Sequence, residues 1–157
     1  MNSTFKSKEF NNSHYWLWRG FKVYWSCTGE KNNYPILFLH GFGASSKHWR
    51  YNSNFFAKKG YCVYSIDLIG FGNSDQPGIK EIGKLDNGVW CNQVNDFIQQ
   101  VVRPKSSNKI ILIGNSLGSL VALTCSVYLK KEILTVIASP LPDPLVIQRR
   151  KPKLNLM

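Results

Sequence analysis

At 157 residues with 43% hydrophobic side chains, the chain has the length of one domain and enough apolar content to bury a core. That composition excludes disordered, collagen-like and coiled-coil classes. Twenty basic against nine acidic residues give a formal charge of +11, a balance that favours acidic partners. The sharpest basic cluster is Arg149, Arg150, Lys151 and Lys153, which reads either as a solvated surface segment or as a contact for an anionic membrane surface. No RNA- or DNA-binding motif accompanies the charge, so no nucleic acid is expected. No apolar stretch approaches the roughly 18 residues of a membrane span, and residues 1–12 lack the apolar core of a secretory signal, so the expected location is cytoplasmic.

Residues 1–13 are expected to be a disordered lead-in to a core over residues 14–140. Aromatic and β-branched residues crowd 15–18 and 21–25 around Arg19-Gly20, the signature of a β-hairpin. Residues 36–39 are a continuous apolar run, as in a strand buried on both faces. A helix is predicted over residues 46–59, capped by Ser45 or Ser46 and closed by Gly60. A buried strand follows at 61–67, then a loop over 68–86 interrupted by glycines and Pro77. Trp90, Val94, Phe97, Ile98 and Val101 share one helical face, with Asp86 or Asn87 as cap and Pro104 as stop. Residues 109–113 predict a third buried strand, 117–129 a helix apolar on every side, and 133–138 a fourth buried strand. Residues 141–157 read as the start of a lid or a basic C-terminal tail. The alternation predicts an α/β class: a mainly parallel, doubly wound sheet with an antiparallel N-terminal hairpin.

The four cysteines, Cys27, Cys62, Cys91 and Cys125, are far apart in sequence and form no C-x-x-C pair. Neither a zinc site nor a redox motif is expected, and the reading is of reduced thiols.

The chemistry-bearing motif is Gly114-Asn115-Ser116-Leu117-Gly118, set between the strand at 109–113 and the helix from 117. A strand-turn-helix context of this kind places a serine on a sharp turn with its oxygen exposed above the sheet. Glycines two residues to either side let neighbouring backbone pass without a Cβ clash. The helix N-terminus then directs N–H groups at developing negative charge. A plain turn with an N-cap serine is the alternative. The candidate oxyanion donors are the N–H of Leu117 and, from the turn His40-Gly41-Phe42-Gly43, that of Phe42.

Three segments, in order and at matching separations, carry a resemblance: His40-Gly41-Phe42-Gly43-Ala44-Ser45, Asp67-Leu68-Ile69-Gly70-Phe71-Gly72-Asn73-Ser74-Asp75, and the Ser116 elbow. The chain resembles the N-terminal half of an α/β-hydrolase, a fold that would stop after about its sixth strand. Trp16-Leu17-Trp18-Arg19-Gly20 and the elbow are further similar to the pheophytinase-like and chlorophyll dephytylase-like serine hydrolases of cyanobacteria and plastids. Ser119 departs from that group, which carries a second glycine there; the change is expected to tighten helix-strand packing without abolishing the elbow. The resemblance implies Ser116 as nucleophile, with His40, Gly41, Gly43, Asp67, Gly70, Gly72, Gly114 and Gly118 as structural positions. It implies an acyl-enzyme route on a small, apolar carboxylic ester and no metal or organic cofactor. It argues against epoxide and haloalkane chemistry, for which the family uses an aspartate nucleophile.

A serine hydroxyl needs a base to take its proton and an acid to orient the base. The family's order is serine, acid, histidine. No histidine follows Ser116; His14, His40 and His48 all precede it. By the family pattern His40 is a structural residue of its loop, His48 falls on the first helix and His14 near the terminus. Asp143 stands where some members keep their acid, although Pro142 and Pro144 also fit a plain turn. The chain is therefore expected to be inactive alone, with two rivals. One is a non-catalytic binding protein on the same scaffold. The other is a dinucleotide-binding domain using Gly41-Phe42-Gly43-Ala44-Ser45-Ser46 and Asp67.

Overall fold

The computed structural model describes residues 12–31, 33–103 and 108–140. Six strands form one sheet: β1 (Asn12–Trp18), β2 (Phe21–Thr28), β3 (Tyr34–Leu39), β4 (Tyr61–Ile66), β5 (Ile110–Gly114) and β6 (Ile133–Ala138), in the order β1-β2-β4-β3-β5-β6. The β1–β2 and β2–β4 pairs are antiparallel, and β4–β3, β3–β5 and β5–β6 are parallel. The helices are α1 (Arg50–Lys58), α2 (Ile79–Ile82), α3 (Asn87–Phe97) and α4 (Leu117–Tyr128).

The hairpin forms because Arg19 and Gly20 both take positive φ, 50° and 88°, as a two-residue primed turn requires. Indole donors fasten it to the rest: Trp18 Nε1 donates to Asp96 Oδ2 at 2.8 Å and Trp16 Nε1 to Gln100 Oε1 at 3.1 Å. Alternation along β3 builds two cores from one strand. Leu37 and Leu39 face α3 and α4 with Val94, Phe97, Val121 and Ala122, while Ile36 and Phe38 face Trp49 and the α1 side. The sheet is thus covered on both faces, which a βαβ succession demands.

Several elements differ from the sequence reading. Residues 46–59 are not one helix: a 3-10 turn, Ser46–Trp49, precedes α1, and neither Ser45 nor Ser46 caps it through its side chain. The cap comes from the next strand's end, where Asp67 Oδ1 accepts from Ser46 N at 2.5 Å. The loop after β4 contains the single turn α2. Asp86 does cap α3, accepting from Val89 N at 3.1 Å, and the helix then loosens into a π-helical turn, Ile98–Val102. Pro104 lies outside the described residues, as do residues 1–11, Asp143 and the cluster from Arg149 to Lys153.

Two further corrections share a cause. Helix α4 is not buried all round: Leu120, Leu123, Val127 and Tyr128 form an exposed stripe. Strand β6 is not buried on both faces, since it is the sheet edge, with Leu134 and Ile137 about half exposed. Apolar periodicity reports which faces prefer to be covered, not whether a neighbour is present to cover them. Among the described residues no helix is long and apolar enough to cross a membrane.

Candidate active site

Strand β5 ends at Gly114 and α4 begins at Leu117, so the chain reverses within Asn115 and Ser116. Ser116 takes φ 52° and ψ −112°; among the described non-glycine residues only Arg19 shares a positive φ. A conformation of this kind costs on the order of 1–3 kcal/mol and persists only where surrounding bonds over-determine it. Those bonds are present. Asn115 N donates to Leu39 O at 3.1 Å and Ser116 N to Pro140 O at 3.0 Å. Asn115 Nδ2 donates to Ser139 O at 2.8 Å. The end of β3 and the residues that follow β6 therefore clamp the turn from both sides of β5.

Both flanking glycines are steric requirements. A Cβ on Gly118 would collide with the Leu39 carbonyl, and one on Gly114 with the Gly118 carbonyl. Gly41 brings the second turn against the first: its Cβ would lie 2.9 Å from Asn115 Oδ1 and 3.4 Å from Ser116 Cβ. The turn is closed by Ala44 N donating to Gly41 O at 3.2 Å, with Gly43 at φ +70°. Phe42 is thereby carried to the rim of the elbow, 77% exposed as a residue, with its ring edge-on to Phe71 at 5.2 Å. On α4, Gly118 N and Ser119 N are engaged by Asn115 O and Ser116 O. Leu117 N is left as the first-turn donor with no acceptor among the described residues, as helix starts dictate.

Asp67 and His40 are fully buried and hold the loops beneath. Asp67 Oδ1 takes Ser46 N, and Oδ2 takes Asn73 N at 2.7 Å. Gly72 exists to admit this carboxylate, since a Cβ there would overlap Asp67 Oδ2. Gly70, at φ +90°, turns the same loop, and its Cβ would press Leu85 at 2.6 Å. His40 Nε2 accepts from Leu68 N at 3.0 Å, which fixes the proton on Nδ1, where it is donated to Gly41 O at 2.8 Å. Burial pushes the His40 imidazole below its ordinary range, opposed by the Gly41 carbonyl and Asp67.

No histidine reaches Ser116 among the described residues. Both nitrogens of His40 are spent on backbone. His48 is exposed and packs edge-on to Trp49 at 4.8 Å. His14 packs against Trp25 with its ring tilted, and its own strand β1 is four steps across the sheet from β5, about 19 Å at the usual inter-strand spacing. The dinucleotide reading loses its acid for the same kind of reason: both oxygens of Asp67 are occupied inside the protein.

The structure shows how Ser119 tightens the packing of helix on sheet. Its buried hydroxyl donates to Gly114 O at 2.8 Å and accepts from Ser139 N at 3.0 Å, tying α4 to the ends of β5 and β6. Its partner Ser139 is 20 residues away, and no local pattern signals that pairing.

A family model described as the alpha/beta hydrolase fold matches residues 34–144, about seven tenths of the chain. The chain belongs to that family. Among curated relatives it is similar to epoxide hydrolase 3 of Xenopus tropicalis, 30% identical over 80% of this chain and 32% of that protein. It is also similar to putative esterase/lipase 2 of Mycoplasma pneumoniae, 27% identical over 69% of this chain and 38% of that protein. Among solved structures, the thioesterase domain from the curacin biosynthetic pathway superposes with a TM-score of 0.76 at 21% identity, over 88% of this chain and 51% of that one. The chain thus spans about a third of the length of the curated relatives it matches.

Proposed function

We propose that this protein supplies the nucleophile half of a serine hydrolase that cleaves carboxylic esters through an acyl-enzyme on Ser116. The observation that carries the reading is the Ser116 backbone at φ 52°, a strained conformation clamped at a strand-to-helix junction. Ser116 Oγ attacks the ester carbonyl carbon and the carbonyl oxygen becomes an oxyanion. The N–H groups of Leu117 and Phe42 receive that charge, each worth roughly 3 kcal/mol in the transition state. The alcohol leaves, and water then releases the acid from Ser116.

Relatives named for epoxide and for ester hydrolysis share this fold, and the residue at the elbow separates the two chemistries. Serine gives a labile acyl ester with an ester substrate; with an epoxide it would give a stable ether that water does not cleave. The exposed Phe42, backed by Phe71 at 5.2 Å, whose ring in turn lies 5.9 Å from that of Trp90, offers an apolar rim suited to a small lipid-like ester. The likeness of residues 16–20 and 114–118 to pheophytinase-like and chlorophyll dephytylase-like enzymes points the same way. Residues 141–157 would begin the lid, and the cluster at Arg149, Arg150, Lys151 and Lys153 would bring it to an anionic surface.

The general base is proposed to lie outside these 157 residues, with Asp143 as candidate acid. Purified protein should then release p-nitrophenol from short-chain esters no faster than its Ser116→Ala variant. Steady turnover abolished by that substitution would place the base within the chain and overturn this half of the reading. A non-catalytic binding protein is the second reading, favoured by the absence of histidine after Ser116. Labelling of Ser116 by a fluorophosphonate would count against it.

A further inference from the structure

The fold gathers four sequence-distant cysteines into two buried contacts. Cys27 and Cys62 Sγ atoms lie 3.6 Å apart between β2 and β4, and Cys91 and Cys125 Sγ atoms 3.3 Å apart between α3 and α4. All four are thiols. The two contacts resemble each other in distance and burial and differ in backbone setting and in the cavity beside them.

In the sheet, Cys27 is opposite Tyr64, which makes Cys62 its diagonal neighbour two residues along β4. Diagonal positions of an antiparallel pair are about 7–8 Å apart, at or beyond the roughly 7 Å limit for a disulfide without backbone movement. Hydrogen-bonded strands cannot supply that movement cheaply. Between the helices the restraint is weaker. Among the described residues no backbone ladder joins α3 to α4 there: Asn87 Nδ2, one turn before Cys91, donates to Oγ1 of Thr124, the neighbour of Cys125, at 2.7 Å, and Cys125 Sγ donates to the Cys91 carbonyl at 3.8 Å. Closing the Cys91–Cys125 gap to the bonded 2.05 Å requires a shift of little over an ångström.

Cys91 and Cys27 are almost equally buried, at 7% and 6% exposure, but Cys91 lines a surface cavity of about 410 Å³, together with Asn92, Asn95, Thr124 and Tyr128, whereas Cys27 and Cys62 line none described. Cys125 is fully buried, and its thiol is pushed up by burial and by Cys91, so it is a poor first target.

We propose that Cys91 and Cys125 form an oxidative modification site, with Cys91 as the hydroperoxide-accessible thiol and Cys125 as its resolving partner. A hydroperoxide transfers one oxygen to Cys91, giving a sulfenic acid and releasing the corresponding water or alcohol. Cys125 sulfur then displaces the hydroxyl, which leaves as water with the Cys125 proton, and the two-electron oxidation ends in one S–S bond. The closed ring spans residues 91–125 and so contains β5 and the Ser116 elbow. Oxidation would fasten the helix that carries the elbow to its neighbour.

The test is hydrogen peroxide treatment of the purified protein, followed by alkylation in denaturant and peptide mapping. The expected product has lost the mass of two hydrogens, carries a Cys91–Cys125 cross-link and retains alkylatable Cys27 and Cys62. Its thermal midpoint rises by several degrees, and dithiothreitol reverses both changes. In Cys125→Ser, dimedone should capture a sulfenic acid at Cys91 that the unmodified sequence resolves. The proposal is overturned if Cys91 and Cys125 stay alkylatable, if Cys91 proceeds to sulfinic acid without a cross-link, or if Cys27 and Cys62 bridge at a comparable rate.

Discussion

Ser116 holds a backbone conformation that its own side chain disfavours, and the residues around it show what that requires. Gly114 and Gly118 are the steric negative of the elbow, so Gly118→Ala should destabilise the fold by about 1–3 kcal/mol through overpacking against the Leu39 carbonyl; a denaturant midpoint measures this, and an unchanged midpoint would show that the helix can move away. These positions are legible in sequence because a clash that only glycine avoids leaves a glycine as its trace. The partner of Ser119 and Asn115 is not, because Ser139 is reached only through the tertiary fold, although tighter helix-strand packing is what Ser119 leads one to expect. Asp67 is intermediate: its place in the loop motif predicts bonds to turn donors, but not that one of them starts the helix after β3. Asp67→Ala should leave Ser46 N and Asn73 N unsatisfied, at a cost of about 1–3 kcal/mol for each such group that stays dry.

His40 gives a prediction with a definite sign. Its folded pKa is lowered by burial below the ordinary value of about 6.5, so the folded state holds fewer protons than the unfolded state in that range. Asp67 and His48 are the charged or titratable groups acting on it, with Asp67 opposing the shift and His48 adding to it. The stability contributed by neutral His40 is complete above about pH 6.5. It is lost as pH falls from there through the lowered folded value. A thermal midpoint that declines on acidification through this window, together with an Nδ1–H tautomer by nitrogen NMR, is the expected outcome; a midpoint indifferent to pH there would contradict it.

At the scale of elements, hairpin, strands and α3 follow from local pattern because their stabilising contacts are periodic or adjacent. The misread elements are those decided by distant neighbours. The helix predicted over residues 46–59 is a 3-10 turn followed by α1, and its first turn is capped from Asp67 and not by its own serines. Among the described residues strand β6 is the sheet edge, with Leu134 and Ile137 exposed, the arrangement that invites edge-to-edge pairing. Ile137→Lys should therefore lower self-association at high concentration, read by light scattering, while leaving the monomer's circular dichroism unchanged. Equal scattering by both proteins would show that the β6 edge is not the sticky surface.

At the scale of the whole molecule, the site is assembled from the ends of β3 and β5 and the residues that follow β6, each supplying backbone to one turn. That convergence explains how a chain spanning about a third of its curated relatives' length can still present a formed elbow. The fold class was legible because every parallel crossover carries its own strand-helix signature. The absence of histidine after Ser116 was equally legible, since it is a matter of composition and order. The most direct measurement of the proposed nucleophile uses an alkylboronic acid, which forms a tetrahedral, negatively charged adduct with an elbow serine and places a boronate oxygen where the oxyanion would sit. Boron NMR of the purified protein should show a tetrahedral signal that disappears in Ser116→Ala; no tetrahedral signal, or one that survives the substitution, would contradict the assignment of Ser116 as the attacking residue.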